Sequence, residues 1–68
     1  MSDIEITFNG ELTQVSSGTV EELLSEFKLA GKKLAVELNR EIVSRSSFAE
    51  TQIQQGDSVE IVQFVGGG

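Results

Sequence analysis

Apolar and polar positions alternate singly over Ile4, Ile6 and Phe8, with Glu5 and Thr7 between them, the period of a half-buried strand. Asn9-Gly10 follows at once, and because both residues tolerate positive φ, a two-residue hairpin turn is predicted. Glu11 to Val15 then returns as the second strand. With that turn, Phe8 lies opposite Glu11, Ile6 opposite Thr13 and Ile4 opposite Val15, which puts Leu12 on the other face, opposite Thr7.

After Ser16-Ser17-Gly18 the apolar spacing becomes helical. Thr19 is an N-cap, and Glu22 three residues later completes a capping box in which each side chain bonds the other's backbone N–H. Val20, Leu23, Leu24 and Phe27 form one apolar stripe, while Glu21, Glu22 and Glu26 read as a solvated face. Gly31 is expected to end the helix in the left-handed conformation, with Lys28, Lys32 and Lys33 at its negative end. Leu34, Val36 and Leu38 alternate again as a third strand, and Asn39-Arg40 turns the chain into a short strand at Glu41-Ile42-Val43. Ser44 to Gln55 is polar and lacks a period. It is expected to be irregular or a short helical turn, with Phe48 and Ile53 tucked beneath the sheet. Gly56-Asp57 is a turn, Ser58 to Val65 the last strand, and Gly66, Gly67 and Gly68 follow.

The order β-β-α-β-β-β, with one long helix against one sheet, is an α+β layout. On the last strand, Val59, Ile61 and Val65 share a face with Gln63 and are expected to meet the helix. Glu60, Val62 and Phe64 occupy the opposite face. A single helix covers one face of a sheet, so Val62 and Phe64, together with Leu12, are expected to form an exposed partner-binding patch beside the glycines.

A chain of 68 residues makes one domain, expected over 1–65 with 66–68 as a flexible tail. A domain this small buries only ~60% of the surface its unfolded chain exposes, so its stability margin is thin. Cysteine is absent, so apolar packing alone must hold it. Eleven acidic residues against five basic ones give a net charge of −6, which disfavours nucleic acid and anionic membrane surfaces and suits a protein partner with a basic face. The start, Met1-Ser2-Asp3-Ile4, resembles no signal peptide, and cytoplasmic residence is expected.

Histidine is absent too, so the chain has no imidazole base, no thiolate and no zinc site of the nitrogen–sulfur type; no metal is expected. The serines have no imidazole to activate them, and the glycines have no following lysine and helix to make a phosphate loop. An enzyme is therefore not expected. Three glycines directly after a strand suit a different task. They reach up to ~10 Å, carry no side chains, and would bring the Gly68 carboxylate into another protein's active site, with Gly66 and Gly67 threading the channel.

Ala35-Val36-Glu37-Leu38-Asn39, Gly56-Asp57-Ser58-Val59-Glu60-Ile61-Val62 and the Gly67-Gly68 end resemble the ThiS family of bacterial thiamine-biosynthesis sulfur carriers. Asn9-Gly10-Glu11 and Thr19-Val20-Glu21-Glu22-Leu23-Leu24 extend that resemblance over essentially the whole chain. It implies a ubiquitin-like β-grasp fold, a mixed sheet of about five strands packed on one helix. It also implies that an adenylyltransferase akin to ubiquitin-activating enzymes, using ATP and Mg²⁺, converts the Gly68 carboxylate to an acyl adenylate. A persulfide sulfur then displaces AMP, and the resulting thiocarboxylate supplies thiazole synthase. Arg40, Ser44 and Phe48 depart from the family's frequent glycine, proline and tryptophan, in the middle loops. The same tail chemistry would also suit the small subunit of molybdopterin synthase, a carrier for another sulfur-containing metabolite, or a ubiquitin-like protein modifier. A plain interaction module with an idle tail is the alternative without any such chemistry.

Overall fold

A computed structural model describes residues 3–64. Strands β1 (Ile4–Phe8) and β2 (Glu11–Val15) form the first hairpin, with Phe8 opposite Glu11, Ile6 opposite Thr13 and Ile4 opposite Val15, as the alternation predicts. Asn9 and Gly10 take φ of 51° and 87°, both positive as the tight turn requires. Helix α1 (Val20–Glu26) follows, then strands β3 (Leu34–Leu38) and β4 (Glu41–Val43), a 3₁₀ turn at Arg45–Ser47, and strand β5 (Ser58–Gln63). Gly66, Gly67 and Gly68, like Val65, lie outside the described residues.

The five strands line up in the order β2-β1-β5-β3-β4. The last strand thus lies in the middle, parallel to β1 on one side and antiparallel to β3 on the other. Each outer strand is the second arm of a two-residue hairpin. The sheet is mixed, one helix covers one of its faces, and the architecture is a β-grasp.

The helix is shorter than its sequence predicts. Seven residues are helical, not the stretch up to Gly31, so the long helix of the sequence reading is two turns. Lys28, with φ of 61°, takes the left-handed position expected of Gly31. Its N–H donates to the Ser25 carbonyl at 3.0 Å, and the Leu29 N–H reaches back to the Leu24 carbonyl. That pair of bonds is a Schellman motif, and it closes the helix here despite the missing glycine. Closure lets Phe27 stack on Phe8 of β1, with ring centroids 4.6 Å apart. Lys28, Lys32 and Lys33 all lie beyond the last turn, which holds no basic residue.

At the helix start, the Thr19 hydroxyl accepts from the Glu22 N–H at 3.2 Å. The Glu22 carboxylate, however, accepts from the Gly18 N–H at 2.8 Å rather than from Thr19 itself, so the capping box is displaced by one residue. Residues 48–53 supply the remaining acceptors. The Val20 N–H donates to the Thr51 carbonyl and the Glu21 N–H to that of Phe48. These long-range bonds satisfy the open N–H groups of a short helix and explain why the segment has no period of its own.

Ile6, Val15, Val20, Leu23, Leu24, Leu34, Val36, Ile53 and Val59 form the buried core between sheet and helix, with Phe27, Phe48 and Ile61 packed against it. Ile53 is buried and Phe48 half-buried, as expected of the two apolar residues in the irregular segment.

Candidate functional site

β5 organises the site. Its Val59 and Ile61 point to the core, so Glu60 and Val62 point outward. Phe64 is next in the same alternation, and its N–H donates to the Lys33 carbonyl at 3.0 Å. Val62 is 57% and Phe64 61% exposed. Val62 stands opposite Ala35 of β3, and Glu60 stands opposite Glu37, which in turn stands opposite Ile42 of β4.

Ile42, 75% exposed, therefore shares the open face with Val62 and Phe64. The sequence reading did not include it. The signal was present in the two-residue turn at Asn39-Arg40, which fixes Ile42 opposite Glu37 and hence on the face of Ala35. Leu12, 73% exposed, lies on the same face but elsewhere. Pairing sets Leu12 opposite Thr7, and Thr7 opposite Ser58, four residues before Val62. That is roughly 13 Å along β5 and two strands across. The structure thus brings Val62 and Phe64 together, adds Ile42 one strand beyond β3, and leaves Leu12 apart.

Electrostatically, the face carries two glutamates directly opposite each other, Glu37 and Glu60. Facing like charges cost stability in the free protein and favour a cationic side chain between them. Lys33 lies beside Phe64 at the rim. A depression of roughly 270 Å³ lies on the helix side, lined in part by Glu21, Leu24, Lys32, Arg45 and Phe48. Among the described residues no cluster of three or more His, Cys, Asp or Glu side chains could hold a metal ion.

Two hairpin turns hold β5 in place. From one side the Asn39 N–H donates to the Ser58 carbonyl at 2.7 Å, and the Asn39 side chain accepts from the Ser58 N–H at 2.9 Å. From the other side the Asn9 N–H donates to the Val59 carbonyl at 2.9 Å, and the Asn9 side chain accepts from the Ile61 N–H at 2.8 Å. The strand that leads to the glycines is clamped at its start and at its middle.

One short helix across a mixed sheet, with an open apolar and acidic face on the strand that precedes the C-terminal residues, defines a small ubiquitin-like protein. The sequence model of the ThiS family matches residues 6–68. The sulfur carrier protein ThiS of Escherichia coli is 33% identical over 66 residues, 96% of this chain and 100% of that protein. The crystal structure of thiamine biosynthesis protein ThiS from Geobacter metallireducens superposes with a TM-score of 0.82 at 39% identity, covering 96% of this chain and 100% of the other. A thiazole synthase of Paramagnetospirillum magneticum is 46% identical over 66 residues, but the chain spans only 20% of its length. This chain belongs to the ThiS family.

Proposed function

We propose that the chain carries sulfur for thiamine biosynthesis on the carboxylate of Gly68. The observation that carries this reading is the family match running through to Gly68, together with an end-to-end match to a relative named as a sulfur carrier. The chain is then a carrier and a substrate, and the catalysis belongs to its partners.

An adenylyltransferase uses ATP and Mg²⁺ to join the Gly68 carboxylate to AMP, releasing pyrophosphate. The carboxylate oxygen is a poor leaving group, whereas AMP is a good one. The outer sulfur of a persulfide displaces AMP to give an acyl disulfide. A thiol then attacks the donor's sulfur across that S–S bond, leaving the thiocarboxylate on Gly68 and a disulfide between the thiol and the donor. Gly66 and Gly67 pass through the partner's channel, since only bare backbone fits a narrow one. Val62 and Phe64 dock on the partner, and the net charge of −6 draws a basic surface toward Glu37 and Glu60. ATP and persulfide donors place this work in the cytoplasm.

Thiazole synthase is the proposed recipient. A thiazole synthase that includes a stretch similar to 96% of this chain favours that choice, because joining two partners in one chain raises their effective concentration.

Complementation tests the reading. A bacterial strain lacking its own ThiS carrier and supplied with the partner enzymes of this pathway should grow without thiamine when given this chain. The same strain given the chain without Gly67 and Gly68 should not grow. Growth with the shortened chain would overturn the proposal, and rescue of molybdoenzyme activity in place of thiamine synthesis would move it to molybdopterin synthase.

A further inference from the structure

β1 leaves the sheet where β5 still has far to go. The parallel ladder between them ends at Phe8 opposite Val59, and the chain turns back at Asn9-Gly10. Pairing with β3 continues to Leu34 opposite Gln63, so from Ile61 onward β5 has a strand on one side only. At that point the Asn9 side-chain oxygen accepts from the Ile61 N–H. One side chain thus adds the rung that β1 no longer provides.

The turn itself does not demand asparagine. Positive φ at its first position is met by glycine or aspartate as well. What asparagine adds is an acceptor of the right reach, three residues before Phe64 and directly upstream of the C-terminal segment.

We propose that Asn9 is a positioning residue for the end of β5, Ile61 to Phe64. Its side chain holds β5 at Ile61 on the side β1 has left, opposite β3 and the Lys33 carbonyl that binds the Phe64 N–H, and so orders the strand end that carries Val62 and Phe64. The inference rests on the proposed carrier function, because it matters only where a partner must receive the tail. A partner that meets an ordered strand end bearing Val62 and Phe64 spends less of its binding energy on ordering it. Losing the pin should therefore raise the KM for the carrier and leave kcat nearly unchanged.

Asn39 is the control. Its side chain makes two bonds to the start of β5, one from Ser58 N–H and one to the Asp57 carboxylate, remote from the tail. Asn39→Gly should cost stability without loosening β5 at Ile61 to Phe64.

The test uses Asn9→Gly, Asn9→Asp and Asn39→Gly, each shown by circular dichroism to be folded at the assay temperature. Two readouts are taken: amide hydrogen exchange at Phe64 in the free chain, and steady-state adenylation by the enzyme that acts on the unaltered chain. For Asn9→Gly we expect Phe64 exchange and carrier KM each to rise ~3- to 10-fold, the scale of one lost hydrogen bond, with kcat within about twofold. Asn9→Asp keeps the acceptor and should match the unaltered chain, and Asn39→Gly should change neither readout. Unchanged exchange and KM in Asn9→Gly, an equal rise in Asn39→Gly, or failure of Asn9→Asp to restore both values overturns the proposal. An unaltered chain that no adenylyltransferase accepts overturns the carrier function instead, and the exchange result then decides the pin alone.

Discussion

Asn9, Lys28, Asn39 and Arg40 are non-glycine residues held at positive φ, from 51° to 72°. Asparagine tolerates this region, whereas lysine and arginine adopt it at a cost. Arg40 is exposed, at the second position of the β3–β4 turn. Arg40→Gly should therefore stabilise the protein by about 1 kcal/mol, since relief of the left-handed strain exceeds the added entropy of the unfolded chain. Thermal denaturation should show a melting temperature ~4–8 °C higher. A second comparison separates core from surface. Leu23 is fully buried and Leu12 is not. Leu23→Ala should cost ~2–5 kcal/mol in urea unfolding, and Leu12→Ala under about 0.5. Much at this scale was legible. Alternation and helical spacing identified the inward residues of β1, α1 and β3, because each pattern admits one buried face. The exposed Ile42 was missed because a three-residue strand is too short for alternation to stand out.

Both hairpins could be read at the level of elements, the first with its register, because a two-residue turn leaves no freedom in pairing. The end of α1 could not. Gly31 offered the usual stop signal, but the helix stops at Phe27 through a Schellman motif built on Lys28. Packing of Phe27 on Phe8 and of Leu29 near the core outweighs the local preference for glycine. Residues 44–55 were read correctly as irregular with a short helical turn that buries Ile53 and half-buries Phe48, but their partners were not legible, for a related reason. The Phe48 and Thr51 carbonyls and the Ile53 N–H bond to residues 18–21 at the start of α1, and no local period records a long-range contact. The helix start is correspondingly cooperative. Thr19 caps the Glu22 N–H, and its neighbour Val20 is bonded to Thr51. Thr19→Ala should lower stability by ~1 kcal/mol. Amide exchange should rise at Glu22 first, because its acceptor is the group removed.

For the whole molecule, the sequence supplied the element order but not the sheet order. That β5 lies between β1 and β3 follows from hydrogen bonds between segments fifty residues apart, such as Gly56 N–H to the Glu5 carbonyl at 2.8 Å. This placement creates the open face and sends the central strand toward the glycines. Val62 and Phe64 were legible as outward residues, but Leu12 stands across the sheet from them, a distance only the strand order reveals. Because Val62 and Phe64 are exposed, changing both to alanine should shift unfolding free energy by about 0.5 kcal/mol or less each. If they dock on the activating enzyme, the same double variant should raise the carrier KM while the protein stays folded. The central claim is that a body without catalytic groups presents Gly68 for others to activate. Intact-mass measurement with fragmentation, after incubation with an adenylyltransferase, ATP, Mg²⁺, a persulfide donor and a thiol reductant, tests it most directly. The account predicts that one oxygen is exchanged for one sulfur, with the added mass confined to the fragment ending in Gly68. Unchanged mass with an enzyme active on another carrier, or sulfur found on any other residue, would contradict it.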